Sequence, residues 1–502
     1  MAFSTVISAA INGLEVEAIK VEADVSNGLP LTQMVGYVSS EVKESLLRVR
    51  TAIKSLGIGL PPKRIMINLS PGNIRKRGSA FDLPIAISLL LALEEISKEV
   101  VAETLFIGEL GLNGQVIGVQ GTLPIVAKAK EIGIKTCFVP EENLQEACLI
   151  KGLKIIGIKH LKELIKGEFC PQEPPLKKAE KKSIRKELDF KDVCGQKVAK
   201  RCLEIAASGG HNLLLMGPPG SGKTMLAKRV PGIMPALLAE ESLELTKIYS
   251  IYGLLDQGAP LQRKPPFREV HHTVTRSALI GGGLYPKPGE ITFAHQGVLF
   301  LDEITEFNRS VLEALREPLE ERKVRINRQH QCYEFPADFT LIAACNPCPC
   351  GMYPDRNLCN CKSQDIKNYR AKLSGAFLDR MDLSLQLAKL SYQEVSKEGA
   401  AESSLEIRKR VSRTRNIQKE RYGHKKMKNS LLLSTELAKF CVLDKEGREL
   451  LEKAYNQLNL TARSYHKILK VSRTIADMEQ KEKIEVGHVK EALAYRINPK
   501  WE

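Results

Sequence analysis

The stretch Gly217-Pro218-Pro219-Gly220-Ser221-Gly222-Lys223-Thr224 limits the possible folds of this chain more than any other. It follows an apolar run, Asn212 to Met216, and leads into Met225 to Arg229. It therefore reads as the turn between a buried strand and a helix, the setting a phosphate-binding loop requires. Glycines let successive backbone N–H groups turn inward around phosphate oxygens, and the helix N-terminus adds its positive dipole end. Lys223 is suited to the β- and γ-phosphates of a nucleoside triphosphate and Thr224 to Mg²⁺. A glycine turn ahead of an ordinary core helix is the bland alternative, and the flanking strand and helix weigh against it.

A nucleotide site of this kind needs acids at a second strand end. Gly297-Val298-Leu299-Phe300-Leu301-Asp302-Glu303 supplies an apolar run closed by two carboxylates, which reads as a buried parallel strand delivering them to the phosphate edge. Asp302 is suited to the Mg²⁺ hydration shell and Glu303 to polarising the attacking water. A further strand, Phe339 to Cys345, ends at Asn346, whose side chain can hydrogen-bond that water or the γ-phosphate. In Leu373 to Asp382, Arg380 falls near the end of a helix. It can act on a phosphoryl group only if a neighbouring subunit presents it, which implies a ring. The alternative is an ion pair with Asp379 or Asp382.

With 75 Lys+Arg against 59 Asp+Glu, the formal charge of +16 favours an anionic partner such as nucleic acid, although a basic solvated surface has the same composition. Two segments could use that charge. Gly281 to Ile291 is a glycine- and proline-rich interruption, and Lys323 to Phe335 reads as a basic-tipped hairpin. Lys287, Lys323, Arg325 and Arg328 are the candidate phosphate contacts, since backbone tracking needs mobile cations more than readers of base edges. The run from Arg408 to Lys428 is equally readable as a DNA contact or a solvated helix face.

No secretory signal is evident, and the longest apolar run, Leu83 to Leu93, is too short to span a bilayer. The expectation is a cytoplasmic protein without a membrane partner, whose 12 cysteines are thiols or metal ligands. Five of them lie between Cys345 and Cys361. Cys348, Cys350, Cys359 and Cys361 suit tetrahedral Zn²⁺, with Cys345 left in the strand core. An empty thiol loop is the alternative, Cys-x-Cys being an unusual spacing.

Residues 1–165 alternate β-branched runs with amphipathic segments, which predicts an α+β domain. Strands are expected at 3–8, 19–25, 65–69, 104–107, 135–139 and 153–158, with helices at 40–55, 83–95, 124–133 and 161–166. Asn113-Gly114 sits between apolar arms and marks a hairpin. Residues 166–190 read as a solvated linker in which Cys170 is a free thiol. The order Gly108-Glu109 to Gly114, Gly121, a helix, Gly133 and Val139-Pro140 resembles the proteolytic domain of Lon and its ribosomal-protein S5-like relatives. The Ser/Lys dyad of those proteases would fall beside Ala80 and near Leu123, and neither position matches. Ser79 and Lys128 are the nearest candidates. A serine without a base in reach is no nucleophile, so a scaffold without peptidase activity is expected.

The blocks from Ala206 to Thr224, Gly281 to Glu290, Leu301 to Ile304, Glu313 to Glu320, Cys345 to Gly351, Leu373 to Asp382 and Thr461 to His466 together resemble the magnesium-chelatase-like AAA+ ATPases of the ComM/YifB type over nearly the whole chain. The resemblance implies an α/β multidomain fold: a degenerate Lon-like domain over 1–165, a linker over 166–190, an AAA+ core over 191–390 with a cysteine insert at 345–361, and a helical lid over 391–502. Asn346 then corresponds to the first sensor. Arg463 matches the second sensor, expected to reach its own subunit's γ-phosphate. The family implies a hexameric, ATP-driven motor acting on single-stranded or branched DNA, alongside recombination proteins, to promote branch migration during DNA integration. A chelatase-type or protein-remodelling ATPase that ignores DNA is the competing class.

Overall fold

The computed structural model describes residues 2–169, 188–255, 261–328, 331–389, 402–423 and 427–496. Most of the expected linker, with Cys170, lies outside the described residues, as do His330, the first residues of the expected lid, Lys425 and Lys426. The chain forms two compact units, one of residues 1–183 with 239–262, the other of residues 184–238 with 263–502.

The first unit is built on strands β1 (Ala2–Asn12), β2 (Glu15–Ser26), β3 (Leu31–Val35), β4 (Arg64–Ser70), β5 (Thr104–Phe106), β8 (Thr136–Pro140) and β9 (Lys154–Ile158), with β6 (Glu109–Leu110) and β7 (Val116–Ile117) forming the expected hairpin. The seven-stranded sheet has the order β3-β4-β2-β1-β5-β8-β9. Strands β1, β2 and β4 run antiparallel; the pairs β3/β4, β1/β5, β5/β8 and β8/β9 are parallel. The helix Asp82–Ala92 is buried on every face because it is apolar all round. It packs in a core with Val6, Ile19, Ile67 and Val49, while the helix Thr122–Glu131 joins a second core with Ala9, Leu105 and Val139.

One strand of this sheet escapes sequence reading. β3 lies at an edge and alternates between exposed and half-buried residues without a buried position, so its composition carries no core signal. The helix Ala239–Ile251 is a second surprise. It is interposed in sequence within the nucleotide-binding half, yet it belongs to the first unit. Gly121 N–H donates to Ser250 O at 3.0 Å, and the Ser250 hydroxyl donates to the buried Glu146 carboxylate. Burial raises Glu146 above the ordinary carboxylate range against the hydrogen bonds from Ser250, Leu123 and Asn143.

The second unit carries β10 (Leu213–Met216), β11 (Phe267–Val270), β12 (Gly281–Gly282), β13 (Lys287–Pro288), β14 (Val298–Leu301), β15 (Lys323–Arg328), β16 (Gln331–Pro336), β17 (Thr340–Cys345) and β18 (Leu383–Gln386). Its five-stranded sheet, in the order β11-β14-β17-β10-β18, is parallel throughout. β14 and β17 are buried at every position, as expected of parallel strands covered on both faces. The register pairs Met216 with Cys345 and Leu301 with Ala343, so the residues after β10, β14 and β17 emerge at one carboxyl edge.

Helices Lys197–Gly209, Ser404–Tyr422, Ala462–Met478 and Val486–Ala494 share one core with that sheet. A buried polar network fixes their register. His211 meets the Thr474 hydroxyl at 2.7 Å, the Asn429 amide donates to Thr474 and Asp477 at 3.0 and 2.9 Å, and Arg473 donates to Asp477 at 3.0 Å. Four arginines of the basic run from Arg408 bond within the unit, whereas Lys409, Arg413 and Lys419 are exposed. Arg408 donates to Gly232 O, Arg410 pairs with Glu204 and Glu402, Arg415 donates to Ala207 O, and Arg421 pairs with Asp477. These four arginines fasten a helix to its core.

Candidate functional site

At the carboxyl edge, β10 ends at Met216 and the loop from Gly217 to Gly222 turns into the short helix Lys223–Ala227. Gly220 and Gly222 take φ of 76° and 89°, a region closed to most side chains, which explains the glycines there. Gly217 N–H donates to Cys345 O at 3.2 Å, tying the loop to β17. The Lys223 ammonium donates to Gly217 O at 2.7 Å, Pro218 O at 3.0 Å and Asn346 Oδ1 at 3.1 Å. Partial burial lowers its pKa, opposed by the nearby Cys345, Asp302 and Glu303. The Thr224 hydroxyl donates to Asp302 Oδ2 at 2.6 Å. The residues singled out on three strands thus meet at one place.

Glu303 follows with φ 50° and ψ 48°, a left-handed conformation rare for a non-glycine residue. Its amide donates to Asp302 Oδ1 at 3.0 Å, and its carboxylate lies 3.9 Å from His272 Nδ1. His272 was not singled out from sequence. The available signal was a His-His pair directly after Phe267–Val270, the strand parallel to β14. Gln196 was also missed; its side-chain amide donates to Ser221 O and Ala388 O, both at 3.3 Å, closing the outer side of the loop.

Arg380 and Arg463 lie at the other edge of the sheet. The Asn212 side chain, just ahead of β10, donates to Arg380 O at 2.9 Å, and Lys467 donates to Met381 O at 2.8 Å. Along the strand, residue 212 and residue 217 are separated by roughly 16 Å. Arg380 pairs with Glu320 at 2.5 Å, and Arg463 pairs with the same carboxylate and lies 3.9 Å from Asp379. Burial acts to raise Glu320, but the two arginines hold it below the usual carboxylate range. The partner of Arg380 is therefore neither Asp379 nor Asp382. The partners found for Arg463 are Glu320 and Asp379, with no hydrogen bond or ion pair to Lys223, Thr224 or Asp302 among the described residues.

The two basic segments are neighbours. β12 and β13 pair as a small hairpin, β15 and β16 as a longer one, and Arg328 Nε donates to Gly283 O at 3.3 Å between them. Lys323 and Arg325 point outward and pair with Glu334, Arg325 also with Glu321 at 3.3 Å. Lys287 is exposed. So are Leu284 and Tyr285 at the tip of the smaller hairpin, apolar side chains that residue-by-residue charge reading overlooked.

Immediately after Asn346, Cys348, Cys350, Cys359 and Cys361 bring their sulfurs within 4.8 Å of one another. Sγ separations are 3.4 Å for Cys348–Cys350, 3.8 Å for Cys348–Cys359 and 3.6 Å for Cys350–Cys359. A tetrahedral Zn²⁺ with Zn–S bonds of about 2.3 Å sets its sulfurs ~3.8 Å apart, so the donor set and its geometry fit. Tyr353 N–H donates to Cys348 Sγ at 3.4 Å, and a hydrogen bond from Met352 brings Cys350 down to about 6. Cys345 stays in β17, where burial pushes its thiol up to about 12.

In the first unit the Ser79 hydroxyl donates to Glu109, not to a lysine, and Lys128 pairs with Glu131 at 3.4 Å on the surface. Leu123, at the position expected for a dyad lysine, is buried, its N–H donating to Glu146 at 2.8 Å. No described helix is long and apolar enough to cross a membrane.

Residues 189–395 match the family model for magnesium chelatase, subunit ChlI; residues 401–496 match that for the ChlI C-terminal region, and residues 21–143 a further ChlI model. The chain is 40% identical over 504 residues to the competence protein ComM of Haemophilus influenzae, covering 99% of this chain and 98% of that protein. It is equally 40% identical to YifB of Escherichia coli, over 99% of this chain and 97% of the relative. Lon protease 2 of Bacillus subtilis is 30% identical over 190 residues, 32% of this chain and 33% of that protein.

Proposed function

The chain belongs to the magnesium-chelatase-like ComM/YifB family of AAA+ ATPases, and from that premise we propose that it is a hexameric motor that hydrolyses ATP to translocate on single-stranded or branched DNA and promote branch migration. Gly217, Pro218, Pro219, Gly220, Ser221 and Gly222 would cradle the phosphates, with Lys223 on the β- and γ-phosphates. Thr224 and Asp302, already 2.6 Å apart, are the side chains suited to Mg²⁺, which when bound neutralises phosphate charge. Glu303 accepts a proton from the attacking water, and Asn346 orients that water or the γ-phosphate.

The observation that carries the ring is the separation of Arg380 and Arg463 from their own Lys223 across the length of β10. Both arginines sit on one carboxylate, so the reading has them enter a neighbouring subunit's site together, with Arg463 also acting across the interface instead of within its own subunit. The DNA reading rests on the two adjoining hairpins, with Lys287 and Arg328 its most available cations and Lys323 and Arg325 partly neutralised by Glu334. The division into a scaffold over 1–165, a linker over 166–190, a core over 191–390 and a lid over 391–502 belongs to the same proposal. Recombination proteins are its expected partners, a structural Zn²⁺ its further cofactor, and the cytoplasm, where thiol ligands stay reduced, its compartment.

The exposed Leu284 and Tyr285 favour a second reading, a protein-remodelling ATPase whose apolar hairpin tip grips an extended polypeptide. One experiment separates them. ATP hydrolysis and branch migration on a three-stranded substrate are measured for wild type, Lys223→Ala and Glu303→Gln across a salt series. The DNA motor requires hydrolysis stimulated by DNA with steep salt dependence, and branch migration lost in both variants. A flat response to every DNA form would transfer the reading to a polypeptide substrate.

A further inference from the structure

The cysteine knob adjoins the nucleotide site at several points. Gly351, in the left-handed region at φ 80°, closes a turn on Cys348 O at 3.0 Å. Its backbone lies so close to the phosphate loop that a Cβ added there would stand 2.5 Å from Cδ of Pro219. On the strand side the knob begins one residue after Asn346, the acceptor for Lys223 at 3.1 Å, and Pro347 O accepts from Arg370 Nε at 3.2 Å. The Arg370 guanidinium lies 4.8 Å from the centroid of the Tyr353 ring, and Arg356 lies 5.1 Å from the same ring. The next residue to Arg370, Tyr369, accepts from the Thr305 hydroxyl at 2.6 Å, two residues past Glu303.

We propose that a Zn²⁺ held by Cys348, Cys350, Cys359 and Cys361 acts as a clamp on the nucleotide site, so that metal loading sets the affinity for nucleotide. The ligands span a segment with little apolar core of its own. Among the described residues its buried apolar cluster is Cys348, Cys359 and Ile366, with Tyr353 and Cys361 packed on it. A fold so small depends on its cross-link for a fixed shape. With four thiolates gathered on the metal, Gly351 is held against Pro219 and Asn346 is held toward Lys223. Without the metal nothing cross-links the four sulfurs, the turn is free to open, and both restraints on the phosphate loop are lost. The cluster thereby gains a role beyond folding a surface feature: it reports zinc status to the motor's nucleotide pocket.

The inference rests on the nucleotide-site reading, and its test keeps the two apart. Full-length protein is prepared zinc-loaded and chelator-stripped, zinc is counted colorimetrically after thiol modification, and affinity for mant-ADP with Mg²⁺ is read by fluorescence. The expected result is one zinc per chain and a roughly tenfold loss of mant-ADP affinity on stripping, restored by Zn²⁺ and not by extra Mg²⁺. Gly351→Ala should keep its zinc yet bind mant-ADP weakly, because it strikes the Pro219 contact and leaves the ligands intact. This variant guards against a stripped protein that simply unfolds. Unchanged affinity in both stripped and Gly351→Ala protein, with Lys223→Ala weakened as a control, overturns the clamp alone. Less than about half an equivalent of zinc removes its metal. Full mant-ADP affinity in Lys223→Ala overturns the nucleotide site and the clamp together.

Discussion

The two edges of the five-stranded sheet carry charged groups in opposite states of readiness. At the carboxyl edge, Lys223, Thr224, Asp302 and Asn346 already stand within 3.1 Å of their partners, in an arrangement assembled entirely by one chain. At the amino edge, Arg380 and Arg463 share Glu320, an internal carboxylate in place of a phosphate. The difference follows from topology. Parallel strands deliver their following loops to one edge only, so groups preceding β10 and β18 cannot join the loop after β10 without crossing the sheet. One edge gathers a nearly complete set of phosphate-site side chains, whereas the other pairs its two arginines internally, and only under the ring proposal do they serve a second molecule.

The largest expected effect breaks this comparison directly. Arg380→Ala should lower ATP turnover by ~10³-fold while leaving mant-ADP affinity of the dilute protein unchanged. Mixing it with Lys223→Ala should then restore about a quarter of wild-type turnover, the share of interfaces that pair an intact loop with an intact arginine in random rings. If the mixture stays inactive, the arginine does not act across subunits.

A smaller effect sharpens the role of Glu320. Its carboxyl is held below the unfolded value, so its stabilising contribution is present above pH ~4.3 and is lost as pH falls through the lower folded value. Glu320→Gln should flatten the acid limb of a thermal-unfolding series below about pH 4, with turnover changed less than tenfold because both arginines are retained. An unaltered acid limb would mean that the carboxylate does not hold them.

The smallest effect concerns the first unit. Ser79→Ala and wild type should both show only background peptide cleavage, with or without ATP, since the serine faces Glu109 and Lys128 faces Glu131. ATP-stimulated cleavage lost on Ser79→Ala would reinstate a protease.

Much of the site could be read before the fold because phosphate chemistry demands local residue patterns. Lys223 and Thr224 sit in one loop, and Asp302 and Asn346 each end an apolar run, so strand ends predicted their meeting. Arg463 was harder. Its sequence places it at a helix start and says nothing of which sheet edge that helix approaches; the answer depends on the contact of Lys467 with Met381, 86 positions away. His272 and Gln196 carry no motif chemistry and acquire meaning only from Glu303 and Ser221 beside them. In the first unit, strands with a buried alternation were legible, whereas β3, with no buried residue, offered no such alternation.

The excursion of the helix Ala239–Ile251 changes what a module means in this chain. Leu245, Ile248 and Tyr249 are buried with the first unit although they are encoded between the phosphate loop and β11. Cutting the gene after residue 183 would therefore not yield a clean motor fragment; it would leave the motor carrying a helix stripped of the unit that buries Leu245 and Ile248. Recombination between relatives faces the same constraint, because exchanging the first 183 residues requires a matching helix from the other half. The first unit is thus closed by residues that the chain supplies only after the phosphate loop.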